Sequence, residues 1–422
     1  MEREDRGFET PSRIRTYDPE KDRQAAARIW RETGWIEPEE EREEEALSVF
    51  LSGADAYVAE LDGSPECLVS TMPGTVRYLS RDLRMRAVTT VTTSRVGRRQ
   101  GLASRLTARA LAEGARAGDV AAFLGIFDQG FYDRLGFGSG AYERRITIDP
   151  AALTVEGRPT PPQRITSEEA AAVHRARVDR LRYHGGCSIL PQEFTAAVMA
   201  WSKKGFGLGY RDEEGRITHH LWAIAKGENG PYDIQWLSYE TPEQFLELLT
   251  LVKGLGDQIY AVRLGEPGWV RMQDLLEQPF RRHTVSKHSE MESSFESYAY
   301  WQVRILDIEK AMAVTSLPGR GEISFNLLLE DPVARYLQDS DGWRGTGGEY
   351  VVTVGEVSHA RRGTDKSLPT LRASVNAFSR LWLGVAPAAS IALTDDLEAP
   401  PELLDELSWK LCLPTPSLDW VF

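Results

Sequence analysis

Cysteine is scarce in this chain. Three occur in 422 residues, Cys67, Cys187 and Cys412, far apart and with no C-x-x-C pair. That argues against a disulfide framework or a cysteine zinc site. The seven histidines include His219-His220 but no H-x-x-x-H pair, so no metal is expected. Long apolar runs are missing too: none approaches the roughly 20 residues that span a bilayer. The start, Met1-Glu2-Arg3-Glu4-Asp5-Arg6, has no apolar stretch behind it of the kind a signal peptide needs. The expectation is a cytoplasmic protein with no membrane partner. Positive charge is also short, with 50 Lys and Arg against 63 Asp and Glu and a formal net charge of −13. Nucleic acid needs a basic face, so it is not an expected partner. An acidic surface instead steers cationic ligands. The densest acid run (Glu37, Glu39, Glu40, Glu41, Glu43, Glu44, Glu45) reads first as a solvated helix start, otherwise as one wall of a site for a polycation.

What is present is an ordinary apolar fraction, 41%, and length for two or three domains. Residues 1–150 read as mixed strands and helices. A strand at 13–17 leads to a helix opened by Asp18-Pro19, and a second helix covers 37–51. Asp62-Gly63 turns a hairpin. The β-branched run 87–93 precedes a helical pattern at 102–117, then a strand at 121–127. Pro150 and the prolines at 159–162 mark a boundary. Residues 151–295 form a second region, with helices at 168–182 and 242–254 and strands near 207–210, 217–225, 232–238 and 258–262. The stretch His184-Gly185-Gly186-Cys187 reads as a loop with an inert thiol. Residues 296–422 form a third unit, with a strand at 303–307 and helices at 308–313, 368–378 and 402–411.

The sharpest chemical signal is Arg98-Arg99-Gln100-Gly101-Leu102-Ala103, set between strand and helix. Backbone N–H groups at such a turn and the positive end of the helix dipole both face an anion. Gly101 permits close backbone approach, and two arginines add charge. The stretch is neither G-x-x-x-x-G-K-[ST] nor G-x-G-x-x-G. Without a ligand it would be a basic surface turn.

The pattern R-x-x-G-x-A, with Arg98, Gly101 and Ala103, resembles the acetyl-CoA loop of the GNAT superfamily of N-acetyltransferases. The segment Gly130-Phe131-Tyr132-Asp133-Arg134-Leu135-Gly136-Phe137-Gly138, one helix and one strand later, resembles that superfamily's second signature. Taken whole, the chain resembles the Eis (enhanced intracellular survival) branch. The resemblance implies a mixed α+β fold of tandem GNAT domains: a catalytic 1–150, a degenerate 151–295, and a sterol-carrier-protein-like 296–422. It implies acetyl-CoA as co-substrate, bound by Val91, Thr92, Thr93, the loop Arg98, Arg99, Gln100, Gly101, Leu102, Ala103, Ser104, and the pair Phe127-Asp128. It implies Tyr132 as general acid and the α-carboxylate of Phe422 as general base. Relatives form symmetric hexamers, so a homo-oligomer is implied as well. The chain departs from the pattern at Ser94-Arg95, where relatives carry proline, and at Phe127, which bears on pocket shape.

Direct acetyl transfer asks for a held thioester, a proton donor for the leaving thiolate, and a group to take the ammonium's proton. Tyrosine, with a pKa near 10, suits the second task. A terminal carboxylate suits the third better once burial raises its pKa. Trp35, Glu37 and Asp419 are candidates to meet a small cationic amine such as an aminoglycoside or polyamine. Two other readings stay open: an acetyltransferase for protein lysine or N-terminal amines, and a lipid-binding protein with a silent GNAT domain.

Overall fold

A computed structural model describes residues 13–37, 40–126, 130–158, 160–277 and 290–422. Local chemistry sets the first elements. Asp18 caps helix α1 (Pro19–Thr33), its side chain accepting from Glu20 N at 3.0 Å, and Gly34 closes it at φ +78°. Before α1 lies strand β1 (Arg13–Thr16); after it come α2 (Glu41–Ser52), β2 (Asp55–Leu61), β3 (Ser64–Tyr78) and β4 (Arg81–Thr93). Helix α3 (Leu102–Ala117) lays Leu102, Leu106 and Ala110 on the sheet against Tyr57 and Val69. Strands β5 (Ala121–Gly125) and β6 (Gly138–Ser139) follow.

The middle of the chain runs β7 (Tyr142–Ile148), β8 (Gln163–Ile165), α4 (Ala170–Asp179), β9 (Cys187–Ile189), α5 (Gln192–Trp201), β10 (Gly205–Arg211), β11 (Ile217–Ala225), β12 (Tyr232–Ser238), α6 (Pro242–Gly254), β13 (Val262–Gly265) and β14 (Ser294–Ala299). The last part runs β15 (Trp301–Ile305), α7 (Ile308–Ala313), β16 (Ile323–Glu330), β17 (Gly348–Val354), β18 (His359–Arg362), β19 (Thr370–Ser374), α8 (Val375–Trp382), α9 (Ala388–Thr394), β20 (Leu397–Glu398) and α10 (Pro401–Lys410).

Two sheets repeat one plan. The first is ordered β1-β2-β3-β4-β5-β15-β6 and the second, from its other end, β8-β10-β11-β12-β13-β7-β14. In each, the fourth and fifth strands are parallel, β4 with β5 and β12 with β13. A helix joins each parallel pair, α3 and α6 respectively, as a parallel crossover requires. The sixth strand is exchanged. β7 directly follows β6 in sequence yet pairs with β13 and β14, while β15 directly follows β14 yet pairs with β5 and β6. The strand pairing therefore crosses the sequence divisions at 150 and 296. A third sheet, β18-β17-β16-β19-β20, belongs to the last unit.

The cores follow the same interleaving. One cluster joins Trp30 of α1, Phe50 of α2, and Leu68 and Phe123 of the first sheet to Trp301, Phe325, Trp382 and Trp420 of the last unit. The second sheet has its own core around Ile146, Leu221, Phe245 and Val262. Arg304 of β15, fully buried, pairs with Asp331. Burial alone would raise the Asp331 carboxyl, but the guanidinium beside it holds it below its ordinary value.

Four expectations about elements change. Thr370–Ser374 is a strand, paired parallel to β16, where a helix over 368–378 was expected. The strand expected at 258–262 lies at Val262–Gly265, and Cys187–Ile189 pairs with β3 instead of looping. The short helix expected to carry Tyr132 is a 3-10 turn over Asp133–Leu135, with Tyr132 immediately before it.

Candidate functional site

The parallel pair β4–β5 is matched only from Met85↔Ala121 to Val88↔Leu124. Beyond it β4 runs on to Thr93 while β5 stops at Gly125, so the two strands part. A bulge lies on β4 at this point. Leu68 opposes Thr92 and Ser70 opposes Thr89, so two residues, Thr90 and Val91, face Val69. Thr90 adopts φ +49°, unusual for a β-branched residue, and its hydroxyl is 2.6 Å from Ser70 Oγ. Bulges re-aim backbone groups out of the ladder.

The loop after β4 ends at Gly101, which caps α3 at φ +70° with no side-chain cap and no acid in the first turn. A methyl group there would meet nothing within 4 Å. Arg98, Arg99 and Gln100 are exposed beside it. These free backbone donors and open space fit a pyrophosphate. The equivalent helix of the second sheet, α6, is closed to one. Thr241 and Gln244 form a capping box over its first turn, and Glu243 adds negative charge. One of the two repeated units thus retains an anion-ready helix end. Leu102 and Ser104 are buried in α3, so at these positions the backbone is what faces the mouth.

Tyr132 is 7% exposed and packs with Val88, Leu124 and Leu135, next to the parting of the strands. The chain terminus arrives at the same place from the other end of the sequence. The tail hydrogen-bonds through Ser417 N to His184 O at 3.1 Å. It is gripped between Gly185 and Gly268: a methyl group on either would come within 2.5 Å of Ser417. Asp419 then pairs with Arg180 at 2.6 Å and accepts from Cys187 N at 3.1 Å. Trp420 is fully buried. The terminal residue ends against β5, where a methyl on Gly125 would lie 3.0 Å from the Phe422 main-chain oxygen and 3.5 Å from Tyr300 Oη.

A cavity of about 1240 Å³ opens between the two sheets. Its wall includes Thr89 and Thr90 at the bulge, Phe422 and Asp419 of the tail, and the aromatic rings of Trp30, Trp35, Phe50 and Trp201. Trp35 is 41% exposed and lies edge-on to Trp30 at 5.0 Å. Six arginines line the cavity (Arg144, Arg145, Arg177, Arg180, Arg182, Arg271) against three side-chain carboxylates, Glu143, Glu266 and Asp419. The wall is not acidic, although the chain is. Glu37 is on the exposed surface, paired with Lys203 at 3.0 Å, outside the cavity wall.

Glu143, Arg177 and Arg180 were not anticipated from sequence. Glu143 is half-buried on β7, and its side chain makes no hydrogen bond or ion pair among the described residues. Burial and the neighbouring Asp419 push its carboxyl up to about 7. Arg177 and Arg180, on and just after α4, reach the cavity from a helix whose pattern signals only packing. Burial pushes the Cys187 thiol up, which makes it a poor nucleophile. Phe127 and Asp128 lie outside the described residues. Among the described residues no three His, Cys, Asp or Glu side chains converge to hold a metal, and no helix is long and apolar enough to cross a membrane.

Residues 13–140 match the family described as Acetyltransferase (GNAT) domain. An uncharacterised N-acetyltransferase of Streptomyces avermitilis is 26% identical over 331 residues, 72% of this chain and 73% of that protein. The whole fold recurs in solved structures. A probable N-acyltransferase of unknown function from Enterococcus faecalis has a TM-score of 0.78 at 18% identity, covering 97% of this chain and 99% of that one. Eis1 from Mycobacterium abscessus has a TM-score of 0.73 at 14% identity, covering 97% and 100%. The protein is an N-acetyltransferase, and its whole fold is that of these structures.

Proposed function

We propose that the protein moves the acetyl group of acetyl-CoA onto a small amine held in the cavity between the sheets. The observation that carries this is the cavity's position. It touches β4 where β4 and β5 part and also touches the chain's own terminal residue. Acetyl-CoA, when bound, supplies the thioester and its pyrophosphate anchor. The open turn of α3 with Arg98 and Arg99 holds the anion. Backbone donors at the Thr90–Val91 bulge polarise the acetyl carbonyl. The amine nitrogen attacks that carbonyl carbon, the carbon–sulfur bond breaks, and Tyr132 protonates the leaving sulfur. The ammonium proton passes to a carboxylate, that of Phe422 or of Glu143. In this reading the last unit delivers the tail that completes the site.

Aminosugars and polyamines fit the net charge of the chain, but the cavity wall carries more guanidinium than carboxylate. Much of the surface acid is spoken for: Glu37, Glu40 and Glu43 converge on Lys203. Small amines of lower charge therefore suit the wall better.

The test is CoA release from acetyl-CoA across aminoglycosides, polyamines, amino acids and lysine peptides, with a native C-terminus. Adding one residue after Phe422 should lower kcat at least about a hundredfold, the scale of a lost proton-transfer group, with little change in KM for acetyl-CoA. Full activity in the extended protein would remove the terminal carboxylate from the mechanism. No release with any amine would overturn the transferase role of this cavity.

A further inference from the structure

We infer that the acceptor is an amine that also carries a carboxylate, and that Arg177 receives the carboxylate. The inference rests on the cavity being the acceptor site. Arg177 lies on α4, is 5% exposed, and forms part of the cavity wall. Its guanidinium carbon sits 4.0 Å from the ring centroid of Trp236 and 3.8 Å from that of Trp420. The guanidinium thus rests against the faces of two indole rings, with its N–H groups left for hydrogen bonding. One of these, on Nη1, donates to Thr195 Oγ1 at 3.2 Å.

No carboxylate pairs with Arg177 among the described residues. Its neighbours differ: Arg180 is matched by Asp419 at 2.6 Å, and Arg182 by Asp82 at 2.8 Å. Asp419 spends its Oδ1 on Arg180 and Cys187 N and acts on Arg177 only through space, without pairing with it. A buried guanidinium without an anion is costly. Two indole faces offset part of that cost through cation–π attraction, and burial still pushes the Arg177 group well below its ordinary range. An arriving carboxylate would supply the missing charge, and a guanidinium fixed in plane presents the fork that carboxylates accept in bidentate fashion.

Spacing narrows the class. Trp420, packed on Arg177, is two residues before Phe422, and two residues reach at most about 7 Å. Arg177 and Phe422 stand as separate groups on one cavity wall, so one acceptor meets both when its amine and its anion are set apart. That describes an ω-amino carboxylate, or the side-chain amine of an amino acid, better than an α-amine beside its own carboxylate.

Arg177 also seats Trp420, so a purely structural role must be told apart. Initial rates with the full chain and acetyl-CoA would compare an ω-amino carboxylate, its carboxamide and the diamine of equal chain length. The carboxylate should exceed the carboxamide at least about tenfold in kcat/KM, with the difference in KM. Arg177→Gln should bring the two within about twofold by raising KM for the carboxylate alone, and Arg177→Lys should keep part of the preference. The wild-type ratio decides even if a variant fails to fold. If the carboxamide or diamine serves as well as the carboxylate, the inference is wrong and the transferase stands. If Arg177→Gln lowers kcat equally for all three, Arg177 only holds the tail and the inference is again wrong. If wild type acetylates no amine at all, the acceptor-cavity reading falls first.

Discussion

At the scale of single residues, Glu143 ties the site to pH. Its carboxyl is pushed up to about 7 from an ordinary 4.5, first by burial and then by Asp419. A carboxylate takes a proton only when ionised, so kcat/KM should rise with pH through about 7. Glu143→Gln should flatten that rise and lower kcat by roughly ten- to a hundredfold. Stability should move the other way. A folded-state pKa above the unfolded one gives stability that is complete below 4.5 and lost as pH climbs through about 7. The Gln variant should therefore gain in melting temperature relative to wild type at pH above 7, and gain nothing under acid conditions. Superimposable pH–rate profiles for the two proteins would remove Glu143 from the proton path. Neither Glu143 nor Arg177 could be picked out from sequence. Each looks like an ordinary charged position on its own element, and only the meeting of β7, α4 and the tail makes them neighbours of one cavity.

At the scale of elements, the contrast between α3 and α6 carries a prediction about Gly101. Its φ of +70° strains any residue with a Cβ by about 1 kcal/mol, a small part of a domain's stability. The open space beside it is where the pyrophosphate would lie. Gly101→Ala should thus raise KM for acetyl-CoA several-fold while shifting the melting temperature by only a few degrees. An unchanged KM would argue that the anion does not rest on this turn. Elements of this kind were legible because their chemistry is local. The Asp18-Pro19 cap, the Asp62-Gly63 turn, α3 over 102–117 and α6 over 242–254 all stand where sequence placed them. Two of the misreadings share one cause. Thr370–Ser374 and Cys187–Ile189 are short strands whose partners are far off in the chain, Thr370 facing Asn326 of β16 and Cys187 facing Val76 of β3. Their own residues hold too little periodic signal to announce a pairing made elsewhere.

At the scale of the whole molecule, the exchanged sixth strands make the first sheet inseparable from the rest of the chain. β15 fills the gap between β5 and β6: Gln302 faces both Leu124 and Ser139, and Val303 faces both Phe123 and Gly138. All five of its residues are buried. Losing Trp301, Val303 and Ile305 alone forfeits about 1.5–3 kcal/mol each, together comparable with the roughly 5–15 kcal/mol that keeps a domain folded. It would also bare the edge of β5, whose Ala121, Ala122, Phe123 and Leu124 are fully buried in the intact chain, and an exposed apolar edge invites aggregation. A fragment of residues 1–150, which contains both the Arg98–Ala103 loop and the Tyr132 segment, should accordingly fail to fold alone. Appending residues 299–306 through a flexible linker after Gly140 should recover a cooperative thermal transition, because the added strand can enter the same antiparallel slot. Activity should not return with it, since the tail from Pro414 to Phe422 is still missing from the cavity. A well-folded, active 1–150 fragment would contradict both halves of this argument: that the sheet needs its borrowed strand, and that the site needs the chain's last residue.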